Sequence, residues 1–487
     1  MKAKESEKND ASATDKPRSV ISARVITITL IAAILGGAAG VVAQLLIRII
    51  GFITNLCFFG RISTIFVTPA GNPLGAWVIL IPAAGGIIIG VMARFGSEKI
   101  RGHGIPEAME QVLFNESRIP ARMTILKPLS AAISIGTGGP FGAEGPIIAT
   151  GGALGSLLGQ LLETTPSERK ALLAAGAAAG LTATFGIPLA SMLLAIELLL
   201  FEFSPRSFLP VAMACVVAAA VRIAFVGAGP AFAIPALPAS GAAALGVYVL
   251  IGILIGTASV WVTDLITWIE HQFEKIPIHW MWYPAIGGLV VGVVGWKLPH
   301  TMGPSYDTIE AILSGGIAGK ALVFFFVFKL ISWATSVGSG TSGGTLAPMF
   351  ALGGCLGGAA AAFVAFLFPA LGVSPLVAAL VGMGAIFAGA SRALLASVVL
   401  AFETTHQVHA LLPGLAGCSA AYLVSGLLMK HTIMTEKFVR AGATVPEEFV
   451  PDPLGIYHRL REAERRERTF WPLGGGKMRL ESSGDSE

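Results

Sequence analysis

The chain has 487 residues, 54% of them hydrophobic and only 13% charged, about half the roughly 25% charged content of a soluble globular protein. That composition excludes a soluble enzyme. Lys and Arg number 33 against 29 Asp and Glu, for a net charge of +4, too small a basic field to hold nucleic acid.

Residues 1–24 are polar and charged and read as an N-terminal tail. The apolar run that starts at Val25 outlasts a signal-peptide core and predicts an uncleaved first membrane helix. Beyond it, residues 62–93, 223–263 and 330–391 contain no Asp, Glu, Lys or Arg, and each stretch exceeds the roughly 20 residues that cross a bilayer. A barrel would show short alternating strands, whereas these stretches are long, unalternating and rich in Ala, Leu and Gly. The expectation is an all-α polytopic protein whose lipid partner is the bilayer. The four cysteines, Cys57, Cys215, Cys355 and Cys418, sit singly in apolar segments with no metal-ligand spacing and predict buried free thiols. No metal site and no cofactor are expected.

Residues 441–487 carry the stretch REAERRER and then a Gly/Ser-rich end, a tail too short for a core of its own. Lys and Arg near both ends of the membrane body place both termini in the cytoplasm and predict an even number of crossings. Glycine (60) and proline (28) often interrupt the apolar stretches. Each interruption frees backbone groups that must meet protein or water, so broken and re-entrant helices are expected, as in channels and transporters.

The chain repeats itself. LASMLLAIE at Leu189–Glu197 matches LASVVLAFE at Leu395–Glu403 in six of nine positions, at an offset of 206. Residues 136–155 match 338–357 in nine of twenty at an offset of 202. Two collinear matches predict two homologous halves, with a substrate site at their interface.

Three Gly/Pro segments lead into apolar helices. They are Gly102-His103-Gly104-Ile105-Pro106, Gly142-Ala143-Glu144-Gly145-Pro146 and Gly343-Gly344-Thr345-Leu346-Ala347-Pro348. Glycine admits close backbone approach, proline suits the first helical turn, and unpaired N–H groups with the helix dipole favour an anion. A cation site would need carbonyl or carboxylate rings instead. Glu144 is the one charged residue between Pro128 and Thr150, and an intramembrane carboxylate needs compensation. A helix N-terminus supplies it, so Glu144 can fill the anion site when ionised and leave when protonated. The other reading of such segments is that glycine and proline only kink or pack helices.

GHGIPE, GAEGP and GGTLAP, followed by a late apolar segment ending FETT, resemble the signature segments of the CLC family of chloride channels and proton/chloride antiporters. The resemblance spans about residues 25–440, with halves at about 25–225 and 240–440. It implies the CLC-type all-α fold of two inverted repeats, a homodimer with one pore per subunit, and chloride or a similar anion, with or without protons, as the transported species. It assigns Glu144 as gating glutamate and proton acceptor. The anion ligands it implies lie among Gly102, His103, Gly104, Ile105, Pro106, Gly142, Gly145, Pro146, Gly344, Thr345, Leu346 and Met434. The tail has no room for the paired nucleotide-sensing CBS domains of many members.

Several positions depart from the family pattern. His103 stands where serine is common, Thr345 and Leu346 replace an Ile/Phe pair, and Met434 falls where the family has its pore tyrosine. Leu198 occupies the place of the inner glutamate of many antiporters, leaving Glu197 and Glu202 as candidate proton relays; the match of Glu197 with Glu403 in the repeat suggests a helix-end role instead. These departures favour passive or loosely proton-coupled anion transport, with tight proton/anion antiport (chloride, nitrate or fluoride) as the alternative. An intramembrane enzyme acting on lipid phosphate would need a nucleophile and base near the glycines, and only Glu144 and His103 stand there.

Overall fold

The computed structural model describes residues 21–440. The two tails, 1–20 and 441–487, and the expectations placed on them lie outside the described residues. Seventeen α-helices and no strand occupy the described chain.

The first half runs from α1 (Ala23–Phe59) through α2 (Leu80–Phe95), α3 (Ile105–Phe114), α4 (Met123–Gly136), α5 (Glu144–Leu161), α6 (Pro166–Phe185) and α7 (Pro188–Ala195) to α8 (Pro205–Val226). The second runs from α9 (Ala242–Glu274) through α10 (Tyr283–Lys297), α11 (Tyr306–Leu313), α12 (Lys320–Gly338), α13 (Leu346–Leu367), α14 (Pro375–Ser391) and α15 (Leu394–Thr405) to α16 (Leu411–Leu428), with α17 (Glu436–Arg440) after it. Packing follows the same plan twice: α1 on α8 and α9 on α16, α1 on α4 and α9 on α12, α5 on α6 and α13 on α14. Seven helical stretches among the described residues are long and apolar enough to cross a membrane. The short helices α3, α7 and α11 are fragments of the broken kind that the Gly/Pro content predicts. All four cysteines are free thiols, three buried and Cys57 half-buried.

Local sequence sets the helix ends. Thr165 and Glu168 form a reciprocal capping box at the start of α6, with Pro166 in the first turn, so the first amides are satisfied and proline's missing N–H costs nothing. The same helix stops at Gly186, whose left-handed φ of 71° is cheapest without a Cβ.

Two reciprocal contacts define how the halves meet. The Glu197 carboxylate accepts the amides of Leu395 and Ala396 at 2.9 Å each, at the start of α15. Its repeat mate Glu403 accepts the amides of Leu189 (3.2 Å) and Ala190 (2.7 Å), at the start of α7. Each half thus caps a helix of the other with the same residue, the self-complementary relation that a two-fold axis produces.

Within each half a pair of glycines brings two helices to backbone contact. A Cβ on Gly151 of α5 would lie 2.1 Å from the Gly176 oxygen of α6, and one on Gly353 of α13 would lie 2.2 Å from the Gly382 oxygen of α14. Without a hydrophobic driving force between helices in lipid, such close approach is what holds them. Gly353→Val is therefore expected to cost about 1–3 kcal/mol or more of packing energy. Size-exclusion profiles and thermal unfolding in detergent should show a lower Tm or loss of the monodisperse species.

Candidate anion site

The three Gly/Pro segments, far apart in sequence, meet at one point. Gly142 and Gly344 exchange backbone hydrogen bonds in both directions, at 3.1 and 3.0 Å. The Gly102 N–H donates to Thr341 O (3.4 Å), and the Gly343 N–H donates to Gly102 O (3.3 Å). At the crossing, a Cβ on Gly145 would fall 1.9 Å from the His103 carbonyl oxygen and 2.8 Å from Gly344 Cα. Only glycine lets three main chains approach this closely. The starts of α3, α5 and α13 are thereby gathered.

Glu144 is the first residue of α5 and is fully buried. Its Oε1 accepts the Tyr306 hydroxyl at 2.5 Å. The carboxylate lies within reach of the backbone N–H groups of Glu144 itself and of Ala347, the second residue of α13. Oε2 has no donor in good hydrogen-bond geometry. A carboxylate so placed occupies the space between two helix N-termini, where amides and aligned dipoles favour negative charge.

Two buried lysines hold the loops that frame this space. Lys127 Nζ donates to the carbonyls of Ile100 and Gly102, each at 2.9 Å. Lys329 lies 202 positions later and does the same with Thr301 O (2.9 Å), Gly303 O (3.1 Å) and Ser305 Oγ (2.8 Å). Both side chains are buried, and a buried ammonium keeps its place only with such acceptors. Lys329 thus fixes the residues just ahead of Tyr306.

The expected ligands are distributed as follows. His103 is partly buried, and its carbonyl packs on Gly145. The Gly104 N–H, among the expected ligands, donates to the Glu107 Oε2 at 2.5 Å, the capping of α3 by its own third residue. Ile105 and Pro106 follow in the first turn of α3, Gly145 and Pro146 in that of α5, and Thr345 and Leu346 bound the start of α13, all buried. Met434 is buried in the turn after α16, its amide donating to Thr432 Oγ1 at 3.3 Å, with the neighbouring Ile433 N–H on Ala390 O.

Of the two candidate relays, Glu197 spends both oxygens on the amides of α15, and Glu202 accepts the Ser207 hydroxyl. Leu198 is buried in a π-helical turn between them.

Sequence reasoning missed Tyr306. The repeat could have found it: Lys127 and Lys329 share the offset of 202 read from the glycine segments, and α3 and α11 start 201 apart, so Tyr306 stands where the first half has Ile105.

Residues 85–426 match the family model described as voltage gated chloride channel. The chain is 30% identical over 422 residues to the H(+)/Cl(-) exchange transporter ClcA of Vibrio parahaemolyticus, covering 84% of this chain and 89% of that one. It is 33% identical over 350 residues to ClcA of Yersinia pestis, covering 69% and 71%. In structure it resembles a slow cyanobacterial Cl-/H+ antiporter with a TM-score of 0.75 at 24% identity, over 85% of this chain and 98% of the other, a likeness of fold.

The crossing makes a paired prediction. A Cβ on Gly142 would meet the Glu144 carboxyl group first, at 1.7 Å from Oε2, whereas one on Gly344 would meet the Gly142 oxygen (2.6 Å) and the Gly145 nitrogen (2.7 Å). Gly142→Ala should fold and displace the Glu144 side chain, raising anion flux in reconstituted vesicles. Gly344→Ala should part the two main chains and abolish flux.

Proposed function

Because the chain belongs to the CLC family, we propose that it exchanges chloride for protons across a membrane, with Glu144 closing the anion path and carrying the proton. It is a multi-pass membrane transport protein and not an enzyme; the helix N-termini that would suit a lipid phosphate serve transport. The observation that carries the proposal is the Glu144 carboxylate lodged between the starts of α5 and α13.

The mechanism follows from charge. Ionised, Glu144 is an anion tethered in the anion's own place, and it excludes chloride. Protonated, it no longer gains from the amides of Glu144 and Ala347, and it leaves the site to chloride. Emptying and refilling the site therefore moves a proton and an anion by the same side chain. Anion donors come from the first turns around Ile105, Gly145 and Leu346, with the main chains at Gly102, Gly142 and Gly344 setting their distance, and with His103, Pro106, Pro146, Thr345 and Met434 shaping the walls.

The named relatives are exchangers, and they support coupled exchange better than the passive or loosely coupled conduction that Leu198 and Met434 suggest. An inner relay is then required. Glu202 is the better candidate, because both Glu197 oxygens cap α15 while Glu202 accepts a hydroxyl from Ser207 and lies near the Lys170 ammonium. The proposal includes the cytoplasmic membrane as location, cytoplasmic termini, and a two-subunit assembly with one pore in each.

In proteoliposomes with an imposed chloride gradient, chloride and external pH recorded together should show protons driven against their gradient. Glu144→Ala should keep chloride flux at or above the wild-type level and lose proton movement and pH dependence; loss of flux would make Glu144 structural. His103→Ser should fold normally and change the ranking of chloride, nitrate and fluoride, because the backbone amides stay and only the imidazole is lost. An unchanged ranking would remove His103 from the site.

A further inference from the structure

Resting on the reading of Glu144 as the gate, we propose that Tyr306 positions that gate: its hydroxyl latches the carboxylate in the anion site and stays behind as an anion donor when the carboxylate leaves.

A phenol has one O–H to donate and lone pairs to accept, and Tyr306 uses both. Its O–H goes to Glu144 Oε1 at 2.5 Å, and its oxygen accepts the Ala143 N–H at 3.2 Å. The second bond does not involve the carboxylate, so it holds the phenol oxygen in place whether Glu144 is in or out. With Glu144 gone, the O–H is left pointing into a space bounded by helix N-termini. It then has the chemistry of a ligand for a small, weakly hydrated anion.

The ring cannot follow the carboxylate. It packs against Phe66 and Phe185, with centroids 5.8 and 5.7 Å away. Its main chain is fixed one residue earlier, where Ser305 takes a left-handed φ of 57° and its Oγ meets Lys329 Nζ. Lys329 and Asp307 are the other ionisable groups that act in this corner, Lys329 on Glu144 and Asp307 on Lys329. Lys329 is spent on three oxygens of the loop, so the phenol is the side chain that touches the gate directly.

The repeat sets the phenol apart: Tyr306 opens α11 where the first half opens α3 with the apolar Ile105.

The test is a double-mutant cycle in proteoliposomes of the full chain: wild type, Tyr306→Phe, Glu144→Ala, and both changes together. Phenylalanine keeps the ring packing and removes the hydrogen bond to the carboxylate together with the one from the Ala143 N–H; loss of the charged bond should raise chloride flux on the order of ten-fold in Tyr306→Phe and leave proton movement in place. On the Glu144→Ala background the same change should raise nothing, and should weaken chloride binding severalfold by calorimetry. An equal fall in flux on both backgrounds would make Tyr306 merely structural and overturn the proposal, as would unchanged flux in Tyr306→Phe. If Tyr306→Phe fails to fold, 3-fluorotyrosine at 306, a stronger donor on the same ring, should slow flux; unchanged or faster flux overturns the latch. Failure of the underlying reading is separate: it is a wild type that moves no chloride, or a Glu144→Ala protein that still moves protons.

Discussion

Everything in this molecule turns on the cost of holding a carboxylate inside a membrane. An isolated ionised group there is expensive, and it is tolerated only against aligned donors. Glu144 has them because the starts of α5 and α13 are brought together and because a phenol reaches it from α11. The donors that stabilise the carboxylate are the donors an anion would use. Competition between the two for one place is the physical basis of the transport proposed above.

The rest of the fold serves that convergence. The glycine pairs that press α5 on α6 and α13 on α14 bring each half to backbone contact, and the Glu197 and Glu403 caps tie each half to the other. The two lysines then brace the loops: Lys127 under the segment at Gly102, Lys329 under the loop that presents Tyr306. Duplication explains why the same device occurs twice. Divergence explains why its outcomes differ, with Ile105 opening α3 and Tyr306 opening α11.

Much of this was legible in the sequence, for definite reasons. Uncharged runs declare membrane helices, and the repeat of LASMLLAIE in LASVVLAFE carried the helix-end role suggested for Glu197 by its match with Glu403. Glycine and proline ahead of an apolar run mark helix starts, which exposed Glu144 as the charge that needs an explanation. What was not legible depends on side chains meeting across the fold. The Gly104 amide donates to Glu107, a capping partner three residues away, and GHGIPE contains that pair without ranking capping against ligand binding. Tyr306 lies 162 residues from Glu144, outside every motif, and the bracing of its loop by Lys329, as Lys127 braces the equivalent loop, shows only in the folded chain.

In the proposed mechanism the amides at the starts of α5 and α13 attract an anion, and the side chains of His103, Thr345, Leu346 and Tyr306 set which one. The most direct test of the shared site is anomalous diffraction from crystals grown in bromide, comparing wild type with Glu144→Ala. The account predicts a bromide in the variant where the Glu144 carboxylate lies in the native chain, against the Ala347 amide and the Tyr306 hydroxyl. A variant with no bromide between the starts of α5 and α13 would contradict it.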